Sequence, residues 1–291
     1  MRVVYVLKKS VLTFVMGVIA VILISPIVIT FTNSLMTEAE IELNYGLIGQ
    51  MNEVTAGRAS SFANLKLIPD KVSVAQYGKL FMDNPKYLTM FWNSVFMVVP
   101  IIVGQTLVAA LAAYAFSKLK FRGRDSMFLV YVMTMLMPFQ VTLVPNYIMV
   151  DKLGMLNSTG AIIFPGIFAA FGVFMLRQFM LDIPYAYIEA AKIDGAGHLR
   201  IFMTMIVPMI KPGLAALVIL LFVDYWNMVE QPLIFLTDQF KQPLSVFLSK
   251  MNGERGILFA ASILYMAPMV MLFLYAESYF IEGIQLSGVK G

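Results

Sequence analysis

The chain has 291 residues, 60% hydrophobic and only 13% charged, with a net charge of +4, no cysteine and a single histidine. Soluble domains are about half apolar and a quarter charged, so a soluble globular protein is excluded. The absence of cysteine also excludes disulfides and thiolate metal sites, and His198 alone supplies no catalytic or metal constellation.

The apolar residues gather into six runs, at about 11–32, 89–116, 126–150, 160–181, 213–236 and 257–281. Each is long enough to cross ~30 Å of hydrocarbon at about 1.5 Å per residue. The expected fold class is an all-α membrane protein with six transmembrane helices. The first run follows Arg2, Lys8 and Lys9. It is too long for a signal-peptide core and lacks a small-x-small cleavage pattern, so it reads as a retained helix.

Residues 33–88 form an external segment between helices 1 and 2, carrying Glu38, Glu40 and Glu42, and read as a partly helical cap. Runs two and three are joined by SKLKFRGRD, with Lys118, Lys120, Arg122 and Arg124. Positive charge marks the cytoplasmic side. Both termini and the loops after runs two and four are therefore expected there, with residues 89–281 as the transmembrane core and 282–291 as a cytoplasmic tail.

Prolines 100, 138, 145, 165 and 268 interrupt the runs, which membranes tolerate where neighbours or a cavity satisfy the freed carbonyls. Small residues at four-residue spacing, Ala109, Ala113 and Ser117, and Gly166 and Ala170, suit close helix packing.

Asn93, Gln105, Gln140, Asn146, Asp224, Asn227 and Glu230 all fall within runs. A charge at mid-membrane costs about 2.5–3.5 kcal/mol on insertion scales, so Asp224 and Glu230 must face water or a partner. Asp224, Asn227 and Gln231 are spaced i, i+3, i+7 on the fifth run and so are expected to share one helix face. The set clusters from the midplane to the outer mouth, as a hydrated pathway requires; interhelical hydrogen bonding is the competing reading. Tyr225 and Trp226 could stack on a sugar ring or fill the core. No lysine or arginine lies deep in a run, which favours a neutral polyhydroxylated solute over an anionic one.

Between runs four and five lies DIPYAYIEAAKIDGAGHLRIFMTMIVPMIKP, residues 182–212. It reads as two short helices, the first starting after Pro184 and reaching Ile193. Gly195 allows a turn at positive φ, with Asp194 as its cap. Ala190, Ala191, Ala196 and Gly197 leave the elbow smooth, and Tyr187, Ile193 and Ile201 supply apolar knobs. Few basic residues line it, which favours docking in a protein groove over lying on the bilayer.

The EAA-x3-Gly loop ending in Met205-Ile206-Val207-Pro208 resembles the signature loop of ABC importer permeases, a conservative departure from the usual Ile-x-Leu-Pro. AAYAFSKLKFRGRD, MPFQVTLVPNY, LGMLNSTGAIIFP, DYWNMVEQPLIFL and YFIEGIQLSGVKG extend the likeness, over roughly 70–291 but not 33–68, to the carbohydrate-type permeases of the maltose-transporter kind. Val229 stands where these often carry a bulkier aromatic. The resemblance implies a type I ABC importer permease fold. It implies a second homologous permease chain, two ATPase subunits, an extracytoplasmic solute-binding protein and a sugar, in a bacterial plasma membrane. Glu189 would anchor the loop to the ATPase, Gly195 would form the elbow, and Ala190, Ala191, Asp194 and Ala196 would line the docking surface. Asn93, Gln140, Asn146, Asp224, Trp226, Asn227 and Glu230 are the candidate pathway residues.

No Gly-x4-Gly-Lys-[Ser/Thr] loop occurs, so no cofactor is expected in this chain, ATP and Mg being held by the partner ATPase. No nucleic-acid partner and no enzyme activity are expected. A glycerol phosphate ester is the alternative solute, and a self-sufficient secondary transporter using Asp224 and Glu230 is the more distant rival.

Overall fold

The computed structural model describes residues 2–45, 66–251 and 254–288; expectations for 46–65 lie outside them. Only helices and turns occur among the described residues. In chain order they are α1 (Arg2–Ser34), α2 (Glu38–Tyr45), α3 (Ala75–Met82), α4 (Pro85–Lys118), α5 (Arg124–Met135), α6 (Phe139–Lys152), α7 (Gly160–Ile167), α8 (Ala170–Leu181), α9 (Ala186–Ile193) and α10 (His198–Ile201). A π-helical segment, Phe202–Ile206, leads to α11 (Val207–Met209), α12 (Lys211–Trp226), α13 (Glu230–Phe235), α14 (Leu244–Lys250) and α15 (Arg255–Gly288).

Four helices among the described residues are long and apolar enough to span a membrane: Lys8–Ser34, Pro85–Lys118, Gly160–Leu181 and Arg255–Glu277. Two bent pairs, α5 with α6 and α10–α11 with α12, raise the number to six if each is one span. The third run is thus not straight. It bends by 100° at Pro138, which has no amide to continue the ladder and sits extended at φ −58°, ψ 142°. The carbonyl of Thr134, which it would have bonded, accepts from Met137 instead at 3.3 Å.

The fifth run also departs from expectation. Helix α12 stops at Trp226, and residues 227–229 separate it from α13. Pro232 cannot donate to the carbonyl of Met228 and its ring crowds that atom; the Ser245 hydroxyl takes the carbonyl instead, at 2.5 Å. The Asn227 side chain donates to Val223 O at 2.7 Å, closing the last turn of α12.

The chain divides into two compact units, residues 1–87 with 250–267 and residues 88–249 with 268–291. The first is built around a small core of Met36, Ile41 and Tyr45, with Phe259 against it. Polar ties surround this core. Asn33 donates to Tyr45 Oη at 3.0 Å, Ser34 bonds Tyr77 at 2.8 Å, and Glu38 accepts from Gln76 and from the Gly256 amide. Glu40 accepts from the Asp70 amide at 2.8 Å and pairs with Lys66 at 3.1 Å. The described part of residues 33–88 therefore holds two short helices, α2 and α3, as part of a packed unit.

In the second unit α8 packs on both α5 and α12, and α7 on α13. Ala109 and Ala113 are buried, and Gly172 faces Ala109 so closely that an added Cβ would come within 2.9 Å of it. The small-residue spacing thus serves close packing. Met97, Ile101, Val150, Ile162 and Phe235 form the core beside it. Trp226, 2% exposed, stacks on Phe222 with ring centroids 5.1 Å apart and meets Phe91 edge-on.

Two outcomes are expected. Burial raises the Glu40 pKa, but the Asp70 amide and the Lys66 ammonium outweigh it and hold the carboxyl below its ordinary 4.5. A lowered carboxyl stabilises above its unfolded value and loses that contribution as pH falls through the lowered one. Protection of the Asp70 amide from hydrogen exchange should therefore be full above pH 4.5 and decline below it, and Glu40→Gln should weaken it already at neutral pH. Trp226→Ala should cost about 3–5 kcal/mol of stability, read as a lower unfolding temperature in detergent.

Candidate functional site

Two features of the second unit stand out: an exposed elbow at one end and a cavity among broken helices.

The elbow is made by α9 and α10. Helix α9 buries Ile188 and Ala191 and exposes Glu189, Ala190 and Asp194. Gly195 turns the chain at φ +77°, a conformation that costs a residue with a Cβ. The Asp194 amide closes α9 on Ala190 O at 3.1 Å and the Ala196 amide bonds Ala191 O at 2.9 Å. At the tip Ile193 is 86% exposed, with Tyr187 and Leu199 also exposed. Ile201 is not a knob as expected. It is buried with Phe202 and Ile206, because α10 continues into the π segment, one side of which faces inward. There the Val207 amide reaches back five residues to Phe202 O. Pro208 cannot bond Thr204 O, which favours this wider turn. A 76° bend then follows before α12. No sequence period marked the π segment, although Pro208 and Pro212 flank the bend.

The elbow is held to the end of α4. Lys118, 5% exposed, donates to Ile183 O at 2.6 Å, just before α9. Tyr114 Oη and His198 Nδ1 lie 3.0 Å apart at the start of α10, and the Tyr114 and Phe202 rings pack at 5.4 Å. Arg177 donates to Phe116 O at 3.3 Å and lies over the Phe128 ring. Lys120 lies over the Tyr185 ring, which places the basic loop and the elbow at one end of the bundle.

The cavity, about 730 Å³, brings together Asn146, Asp224, Asn227 and Glu230 with Gln231. The rest of its lining is Phe139, Tyr225, Val223, Met228 and Val229 with the Pro165, Gly166 and Ala169 turn. Asp224, Asn227 and Gln231 thus share a cavity and not a helix face, because the break after Trp226 re-aims the residues beyond it. Tyr225 Oη donates to Gly166 O at 3.2 Å, and Tyr131 Oη to Phe168 O at 3.3 Å. These two hydroxyls bond carbonyls at the turn where α7 gives way to α8, Gly166 O also accepting from the Ala169 amide at 3.3 Å.

Three expected pathway residues are not in the cavity lining. Asn93 is occupied by the carbonyls of Phe240 and Gln242, at 2.6 and 3.1 Å. Trp226 belongs to the core, its ring stacked on Phe222. Gln140 is exposed but lies apart from the cavity lining. Gln105 is also sealed away, 1% exposed within 3.6 Å of where a Gly172 side chain would start. Sequence reasoning in turn missed Phe139, Pro165 and Ala169 as lining residues; the two prolines nearby, Pro138 and Pro165, were the available signal. Among the described residues no group of acidic or histidine side chains is arranged to hold a metal ion.

A family model described as binding-protein-dependent transport system inner membrane component matches residues 85–280. The arabinooligosaccharides transport system permease protein AraQ of Halalkalibacterium halodurans is 33% identical over 227 residues, 77% of this chain and 81% of its own. The sn-glycerol-3-phosphate transport system permease protein UgpE of Yersinia enterocolitica is 31% identical over 201 residues, 67% of this chain and 72% of its own. A chain from a crystal structure of a bacterial ABC transporter involved in the import of the acidic polysaccharide alginate shares the fold. Its TM-score is 0.76 at 24% identity, with 94% of this chain and 96% of that one covered. With an apolar helical bundle, an exposed elbow and a match across both, the chain belongs to the family of binding-protein-dependent transport system inner membrane components.

Proposed function

We propose that the chain is the permease subunit of an ATP-driven ABC importer that moves a sugar or oligosaccharide inward by alternating access. The observation that carries the reading is the elbow: an exposed apolar tip beside Gly195, on helices whose inner faces are buried and clamped to α4. A groove on an ATPase would seat Ile193 and the smooth Ala190 side, with Glu189 and Asp194 at its edge. Ala191 is buried and Ala196 half-buried, so these two set the elbow's shape and the exposed residues make the contact. Motion of the groove would reach α4 through Lys118 and Tyr114, and the bends at Pro138 and before Lys211 offer hinges for rigid-body movement.

Charge and length support the orientation, and the family match supports the partners. Lys118, Lys120, Arg122 and Arg124 sit at the elbow end, which the positive-inside rule places in the cytoplasm. Six spans then return both termini to that side of a bacterial plasma membrane. A second homologous permease, two ATPase subunits carrying ATP and Mg, and an extracytoplasmic binding protein complete the assembly. Amides, carboxylates and two aromatic rings in a 730 Å³ cavity suit a polyhydroxylated solute, whose hydroxyls bond the amides while its C–H faces meet the rings.

A tagged chain purified gently from its native cell should bring down an ATPase, a second permease and a binding protein, and should take up sugar in proteoliposomes only with ATP. Gly195→Pro forces φ near −65° where +77° is needed; the protein should insert, lose the ATPase and show no uptake. Transport by the chain alone without ATP would refute the proposal. Asn146→Ala with Asn227→Ala should reduce uptake about thirtyfold, as lost solute hydrogen bonds of about 1 kcal/mol each would give, while co-purification stays normal.

A further inference from the structure

We propose that Asp224 and Glu230 make this chain's part of the pathway a charge filter. It admits neutral saccharides and protonated amino sugars and holds back uronates and phosphate esters. The inference rests on reading the cavity as the solute pathway, and names the charge class of the solute.

The cavity is built from three separate stretches of chain, α6, the α7–α8 turn and the α12–α13 break, and falls within the size range of small-molecule sites, roughly 300–1,000 Å³. Asp224 and Glu230 are the charged groups among its lining residues; no lysine or arginine lines it. Neither carboxylate enters a salt bridge among the described residues. Both are exposed, so they project into the open space. Apolar walls such as Phe139 and Val223 keep the surrounding dielectric low. A cleft of one charge sign with such walls focuses the field and changes local ion concentration by roughly 10- to 1,000-fold. A carboxylate or phosphate on the solute would meet repulsion here, whereas binding sites for such groups ordinarily present arginine or lysine. Neutral hydroxyls meet no such repulsion, and Asn146 and Gln231 in the lining supply both donors and acceptors. The filter therefore separates the two solute classes that the sequence left open, in favour of the sugar.

The absence of cysteine makes a direct test available. Val229→Cys places one thiol on the cavity wall, and Ala169→Cys places one on the α7–α8 turn, so a folding failure of either variant leaves the other. In the assembled transporter in nanodiscs, each is reacted with a cationic trimethylammonium methanethiosulfonate and an anionic sulfonate methanethiosulfonate. Modification of this chain is followed by mass. The cation-to-anion rate ratio should exceed that of a free thiol by about tenfold or more. It should fall back to the free-thiol value with Asp224→Asn and Glu230→Gln together. A ratio near the free-thiol value before those substitutions would mean that a partner chain neutralises the carboxylates, and would overturn the filter. So would failure of both reagents to react at either position. Uptake is scored separately, with a neutral trisaccharide against its uronate: preference for the uronate overturns the filter. A cation-selective ratio with no sugar uptake at all sustains the filter and sinks the sugar-importer reading.

Discussion

The structure depends on one constraint: in a bilayer, a backbone carbonyl or amide that leaves a helix must find another partner inside the protein or in a water-filled space. The breaks around the cavity obey it. Where α7 yields to α8, two tyrosine hydroxyls reach the Gly166 and Phe168 carbonyls. Where α12 stops, Asn227 and Ser245 take the carbonyls of Val223 and Met228. The Gln242 amide bonds Leu236 O, and the Leu244 amide bonds Ser94. The chain can therefore be irregular around the cavity without exposing unpaired backbone to lipid. Irregular backbone is also what lets five polar side chains converge from different stretches.

The same rule explains what could be read in advance. Hydropathy reports how deep a residue is expected to lie, so the helices long and apolar enough to span a membrane were legible. Depth says nothing of direction. Asn93, Gln105 and Trp226 lie at the right depth and face packed neighbours instead of the cavity. The expected shared face of Asp224, Asn227 and Gln231 assumed an unbroken helix, and Pro232, four residues after Met228, ended it. The elbow was legible in detail because it is local: a glycine between two short helices needs no tertiary information. Ile201 failed for the opposite reason. Its burial depends on how α10 runs into a five-residue π turn, a departure that a 3.6-residue period cannot register. The ties of α2 to residues 66–82 and 254–259 join segments far apart in sequence and leave no pattern within either one.

Elbow and cavity are joined mechanically by α4. Its last turn holds both sides of the elbow through Lys118 and Tyr114. Its first turns hold the segment after α13 through Asn93 and Ser94. Between them Met97 and Ile101 pack on Phe235 and Leu236, the residues that end α13. A displacement at the elbow therefore meets a stiff helix whose far end grips one wall of the cavity. A buried lysine is an effective fastening for such a helix: its charge is held by a carbonyl at 2.6 Å, so releasing it would leave an ammonium without a partner.

The first helix shows how unevenly such a chain constrains its own sequence. From Lys8 to Ile24 its side chains are exposed to whatever surrounds the protein, so any apolar residue of moderate helix preference serves there as well as another. Ten residues further on, Asn33 and Ser34 are wholly buried and committed to Tyr45 and Tyr77. Across one uninterrupted helix the permitted alphabet narrows from nearly every greasy side chain to a single amide and a single hydroxyl. Divergence among descendants of this gene should accumulate at one end of that helix and stall at the other.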